Sequence, residues 1–182
     1  MLILASSSPR RRELLTAAGI AFTVQPADVD ETHRAGESPE AFTQRLAREK
    51  AEAIFANHPN ATVLGADTIV VCDAEILGKP SDETDAARML KKLSGRDHQV
   101  ITGVALVSPS GTQTRAETTT VSMRKISEEE IQNYIATGEP MDKAGAYAIQ
   151  GGAAPFITQI DGDYTNVVGL PVKLVRQMLS TA

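Results

Sequence analysis

Val63-Leu64-Gly65-Ala66-Asp67-Thr68-Ile69-Val70-Val71 is an apolar, strand-like run broken by one carboxylate and one hydroxyl. A turn at Gly65 would account for the break, but an acid held between two buried runs is also how a general base or a metal-binding carboxylate is kept rigid. Asp67 is therefore the first candidate for chemistry.

The segment Ala5-Ser6-Ser7-Ser8-Pro9-Arg10-Arg11-Arg12 ends a short apolar run and opens a helix, with a serine able to cap and a proline suited to the first helical position. Free N–H groups at a helix start, serine hydroxyls and the guanidinium groups of Arg10 and Arg11 form a set that binds polyphosphate. A capped surface helix explains the same residues equally well. Lys50 lies on the apolar line Phe42, Leu46, Ala53, Ile54 of a helical stretch, so it points toward the packed side. There it must either snorkel to solvent or meet an anion. Leu77-Gly78-Lys79-Pro80 puts a second ammonium in a tight loop before a helix that Ser81 is expected to cap. It is not a nucleotide-binding P-loop, because Asp73 stands where that motif needs glycine and Pro80 follows the lysine.

Asp28, Asp30 and Glu31 cluster after the second apolar run and could bring a second carboxylate to a magnesium-like ion, which takes oxygen ligands and keeps several waters. His33, His58 and His98 show no ligand spacing, and no zinc pattern is present. Cys72, at the end of an apolar run, reads as a small buried residue. The stretch Gly138 to Gly151 mixes acid, base, amide and glycine, too polar for a plain core strand, and is expected to line a ligand. In it Gln150 offers a donor and an acceptor on one amide, enough to read a base edge such as that of uracil or thymine. Orientation of a loop is its alternative use.

The elements that must position these residues alternate between two kinds. Strands are predicted over Leu2 to Ala5, Phe22 to Gln25, Thr62 to Cys72, Gln99 to Val107 and Thr114 to Met123, with a further pair from Ala146 to Ile160. Helices are predicted over Pro9 to Ala18, Pro39 to Asn57, Asp82 to Leu93, Glu128 to Thr137 and Pro171 to Leu179. Ser127 and Glu130 form a capping box, with Ile126 and Ile131 placed as a hydrophobic staple. Ser108-Pro109-Ser110-Gly111 joins two apolar runs as a hairpin, so the sheet is expected to be mixed rather than wholly parallel.

At 182 residues the chain suits one compact domain, or two small lobes sharing a cleft. A net charge of −5 argues against a duplex nucleic acid partner, so any phosphate site must be local. No apolar run is long enough to span a bilayer, and Met-Leu-Ile-Leu-Ala is too short for a secretory leader. One cysteine allows no internal disulfide, which leaves the cytoplasm as the simplest expectation.

Five pieces stand in register from Ser6 to Pro171: Ser-x-Ser-Pro-Arg-Arg, Gly-Ala-Asp-Thr, Leu-Gly-Lys-Pro, Gly-Glu-Pro-x-Asp-Lys-Ala-Gly-x-Tyr-x-Ile-Gln-Gly and Asn-Val-Val-Gly-Leu-Pro. Together they resemble the Maf family of nucleotide pyrophosphatases. The resemblance implies a Maf/Ham-like, inosine triphosphate pyrophosphatase-like α/β fold: a mixed, elongated central β-sheet flanked by helices, a single domain whose two lobes surround an active-site cleft. It implies a homodimer, and a divalent cation, magnesium or manganese, near Glu31 and Asp67. On matching positions it makes Asp67 the proton acceptor and gathers Ser6, Arg11, Lys50 and Lys79 around the phosphates. Arg10, Thr68 and Gln150 resemble the branch that hydrolyses dTTP and UTP to the monophosphate and pyrophosphate. Met123 departs from the family, which usually has an aromatic there; methionine fills similar apolar space.

Two other functions fit the same residues. One is hydrolysis of 7-methyl-GTP or another modified nucleotide with the same phosphate machinery. The other is nucleotide binding without turnover, because the family resemblance also carries an association with arrest of septum formation and cell division. Cleansing of modified nucleotides from the pool would join hydrolysis to that role.

Overall fold

The computed structural model describes residues 1–181. In chain order the elements are β1 (Leu2–Leu4), α1 (Pro9–Ala17), β2 (Thr23–Val24), α2 (Pro39–Phe55), β3 (Thr62–Cys72), β4 (Glu75–Leu77), α3 (Glu83–Leu93), β5 (Asp97–Ser108), β6 (Gly111–Met123), α4 (Glu128–Ala136), β7 (Ile157–Asp161), α5 (Tyr164–Val168) and α6 (Val172–Ser180). The strands form one sheet of order β2-β1-β3-β5-β6-β7, with β4 pairing β3. β1 runs parallel to β2 and β3, whereas β3–β4 and β6–β7 are antiparallel, so the sheet is mixed as expected. The helices flank this α/β sheet. By contacts the chain divides into two compact units: residues 1–68, 101–117 and from 169 onward form the first, and 69–100 with 118–168 form the second.

In the first unit the alternation of β3 decides everything downstream. Leu64 and Ala66 join Leu4, Val104 and Leu106 in a core completed by Leu15 of α1 and by Leu174, Val175 and Met178 of α6. Val63 faces the other way, with Ile3, Ala5, Ala105 and Val107, onto Ala47, Ala51 and Ile54 of α2. Successive strand residues point to opposite faces, so Asp67 shares the α2 face and Thr68 the α1 face. Each fully buried leucine in these layers contributes about 2 kcal/mol.

α2 approaches the sheet closely because β3 and β5 carry glycine beneath it. A Cβ at Gly65 would run into the Ala47 carbonyl, and one at Gly103 into the backbone of Thr43 and Gln44. Gly65 is thus no turn: β3 passes straight through it. Ser38 caps α2 by accepting from the Ala41 N–H at 3.1 Å, and Pro39 fills the first helical position. The buried face of α2 carries Phe42, Leu46, Lys50 and Ile54, while Ala53, expected on that face, is exposed.

In the second unit α3 packs on α4. The capping box at Ser127 is complete, the hydroxyl accepting from Glu130 N–H at 3.2 Å and Glu130 Oε2 from Ser127 N–H at 2.8 Å. The cap of α3 is Asp82, not Ser81: Asp82 Oδ1 accepts from Asp85 N–H at 2.7 Å, and Ser81 instead donates its own N–H to the Asp85 carboxylate. The expected strand pair over 146–160 is a single strand, β7. Residues before it form short 3-10 turns, with Gly145 at φ 69 and Ala146 at φ 60, which strands do not tolerate. β4 and α5 were not anticipated from the sequence. No helix among the described residues is long and apolar enough to cross a membrane.

Candidate active site

β3 delivers Asp67 and Thr68 to opposite faces, and each meets a cation supplied by the helix on its side. On the α2 face, the buried ammonium of Lys50 donates to Asp67 Oδ1 at 2.8 Å and lies 2.7 Å from Glu31 Oε1. The Lys50 side chain is 11% exposed and Asp67 12%, against 56% for Glu31, so an inner acid and an outer acid share one cation. Lys50 does not snorkel to bulk water; it meets anions.

Among the three loop acids, the structure selects Glu31. Asp30 is turned to its own loop, its Oδ1 accepting from the N–H and hydroxyl of Thr32 at 3.0 and 2.6 Å. Asp28 is exposed. The loop is fastened to α2 by Arg45, itself 7% exposed, which donates to the Thr32 carbonyl at 2.9 Å, to both oxygens of Glu37, and to Glu49 Oε2 at 3.1 Å. This hydrogen bonding to Arg45 holds the Glu37 carboxyl down at a pKa of about 2. Arg45 and Glu37 were missed by sequence reasoning, although an arginine one residue before the buried Leu46 was a usable signal.

On the α1 face, Ser8 caps the helix and accepts from Arg11 N–H at 3.4 Å. The Arg11 guanidinium donates Nε–H to the Gly169 carbonyl at 2.8 Å, Nη1–H to Ser6 Oγ at 3.2 Å and Nη2–H to Thr68 Oγ1 at 3.0 Å. One N–H on each Nη is left over for a ligand. Desolvation lowers the Arg11 pKa below its ordinary value, and Arg10 pushes the same way, while Asp67 and Glu31 oppose the shift. Arg11 thus feels both acids and Arg10: one electrostatic site. Thr68 Oγ1 also lies 2.9 Å from the buried Thr102 hydroxyl and donates to the Gly169 carbonyl at 3.3 Å. Gly169 stands at φ 135, a conformation that side chains avoid, which aims its carbonyl at Arg11. Thr102 escaped the sequence reading despite being a hydroxyl inside an apolar run like Thr68 itself, whereas Gly169 stands in the Asn-Val-Val-Gly-Leu-Pro piece but was given no role there.

The structure therefore assembles Ser6, Arg11, Glu31, Lys50, Asp67 and Thr68 within the first unit, with Arg10 beside Arg11 on α1. Lys79 and Gln150 belong to the second unit, both exposed. They stand on segments tied together, because Gly145 N–H donates to the Gly78 carbonyl at 3.1 Å. His33 lies exposed against Glu37, and His98 is buried against Tyr147, neither in the acidic cluster. Cys72 is buried, and burial raises its thiol pKa, so it is a packing residue. No cluster of three or more His, Cys, Asp or Glu fit to hold a metal occurs among the described residues. Any ion here would rest on two carboxylates.

A dTTP/UTP pyrophosphatase of Koribacter versatilis (strain Ellin345) is 58% identical over 181 residues, covering 100% of this chain and 94% of the relative. One from Symbiobacterium thermophilum is 56% identical over 179 residues, covering 98% and 92%. Among solved structures, the Staphylococcus aureus Ham1 protein superposes with a TM-score of 0.56 at 17% identity, over 99% of this chain and 98% of that one. A HAM1 protein from Coxiella burnetii gives 0.52 at 14% identity, over 100% and 98%. These two likenesses establish the fold. A model of the family described as Maf-like protein matches residues 1–182, and the chain belongs to the Maf family.

Proposed function

We propose that this protein hydrolyses dTTP and UTP at the α-phosphorus, releasing the nucleoside monophosphate and pyrophosphate. The observation that carries the reading is the buried carboxylate of Asp67 beside a lysine and a second acid, with the buried Arg11 guanidinium in the field of both acids. The full-length identity to proteins named dTTP/UTP pyrophosphatases supports the choice of nucleotide.

Asp67 takes a proton from water as the water oxygen bonds to the α-phosphorus. The bond from that phosphorus to the bridging oxygen breaks, and pyrophosphate leaves with the electron pair. Ser6, Arg11, Lys50 and Lys79 hold the phosphates, with Arg11 contributing the N–H groups its structural bonds leave over. Arg10, Thr68 and Gln150 select the nucleotide, Gln150 by complementing the acceptor O4 and the donor N3–H of uracil or thymine.

The acids also fit a divalent cation. Lys50 Nζ already occupies a point 2.7 and 2.8 Å from one oxygen of each, so Glu31 and Asp67 converge on a single positive charge. Two carboxylates, with water and phosphate completing the shell, is the donor set that magnesium or manganese takes. When bound, the ion would supply neutralisation of phosphate charge. The reading extends to a homodimer working in the cytoplasm, for which family membership is the support.

The test is pyrophosphate release from dTTP, UTP, CTP, GTP and 7-methyl-GTP with magnesium or manganese, for the wild type and Asp67→Asn. The expected result is preference for dTTP and UTP, reduced at least about 100-fold in the variant. Release from 7-methyl-GTP alone would overturn the substrate assignment; tight nucleotide binding without any release would overturn hydrolysis.

A further inference from the structure

Gln150 stands on an exposed turn, yet the backbone on either side of it is pinned. Ala148 N–H donates to the Tyr134 hydroxyl at 3.0 Å, and Gly152 N–H donates to Glu139 Oε2 at 3.0 Å. The Tyr134 hydroxyl in turn donates to that same Glu139 oxygen. One tyrosine–glutamate pair therefore grips the chain two residues before and two residues after Gln150. The turn is also closed on itself, Gly151 N–H donating to the Ala148 carbonyl at 3.1 Å.

The grip requires close approach. A Cβ at Gly151 would overlap the Glu139 carboxylate, and one at Gly152 would sit 2.9 Å from Tyr134 Cε2. Both partners are themselves anchored. The Tyr134 ring meets Phe156 edge-on with centroids 5.7 Å apart, Glu139 N–H donates to Thr137 Oγ1 at 3.2 Å, and the Glu139 carbonyl accepts from Lys143 Nζ at 2.8 Å. A further pin, Tyr147 hydroxyl to His98 Nε2 at 2.6 Å, fixes the residue before Ala148.

We propose that Tyr134 and Glu139 are positioning residues for base selection: they touch no nucleotide, and hold the Gln150 amide where it distinguishes uracil and thymine from cytosine. This rests on the reading of Gln150 given above. Cytosine presents a donor where uracil presents O4 and an acceptor where uracil presents N3–H, so an amide fixed in one orientation rejects it. A turn released from its clamp lets the amide rotate and accept either edge.

The experiment is kcat/KM for UTP relative to CTP in the wild type, Gln150→Ala, Tyr134→Phe, Glu139→Ala, Glu139→Gln and the double variant Tyr134→Phe/Gln150→Ala. Tyr134→Phe and Glu139→Ala are expected to lower the ratio about fivefold or more, chiefly through KM for UTP. Glu139→Gln, which keeps an acceptor oxygen for both donors, retains it, and the double variant falls no further than Gln150→Ala alone. A wild-type ratio in Gln150→Ala would overturn the reading of Gln150 and the clamp with it. A ratio lowered by Gln150→Ala but untouched by Tyr134→Phe and Glu139→Ala would overturn the clamp alone, as would an additive double variant.

Discussion

Lys50 decides the electrostatics of the site, because it is the buried cation on which an inner and an outer carboxylate both depend. Replacing it with methionine fills the same volume but leaves the Asp67 carboxylate without its ammonium. Breaking a buried pair at one end costs more than the pair contributes. Lys50→Met is expected to lose about 3 kcal/mol of stability, read by urea denaturation near neutral pH; an unchanged midpoint would contradict the buried pairing. The sequence disclosed much of this set. An acid in an apolar strand and a lysine on an apolar helical line both violate the pattern that burial imposes, and such violations are visible in one chain. Glu31 was different: nothing local separates it from Asp28 and Asp30, and it is singled out by Arg45 and Glu37 fastening the loop, a contact between segments that no spacing reveals.

At the level of elements, β3 and α2 do most of the positioning. β3 was legible to the residue, because its β-branched run continues through Asp67, and the capping box made the start of α4 equally clear. The glycine beneath α2 was visible but its use was not, since close approach of two backbones is a tertiary fact. Gly65→Ala is expected to push α2 away from the sheet, costing about 3 kcal/mol and carrying Lys50 away from Asp67. Thermal unfolding together with turnover checks this: a variant of native stability and native activity would show that α2 does not depend on the gap. β4 stayed hidden because the turn before it places Asp73 and Ala74 at positive φ, where glycine or asparagine would have signalled it. The stretch from Ala146 to Ile160 reads as a strand pair in sequence, but it opens beside Gly145 and Ala146 at positive φ, Gly145 packed against Val70, and only its last residues pair, as β7.

For the whole molecule, two shifted titrations, of buried His98 and of Glu37 paired with Arg45, make the fold less stable in acid. Burial depresses the His98 pKa from 6.5 to about 4. Between those values the unfolded chain binds a proton that the folded chain refuses, so stability falls with falling pH by up to about 1.4 kcal/mol per unit. Glu37, held at about 2 by Arg45, adds a second loss with the same sign at lower pH: its contribution is whole above about 4.5 and disappears as pH drops through 2. Urea denaturation from pH 7 to 4 should show the first decline and its flattening in His98→Gln; an equal slope in the variant would assign it to other groups. The account as a whole stands on attack at the α-phosphorus, and the most direct test is hydrolysis of UTP in water labelled with heavy oxygen. The account predicts label in UMP and none in pyrophosphate, with turnover lost in Asp67→Asn. Label in pyrophosphate, or UDP and phosphate as products, would contradict it.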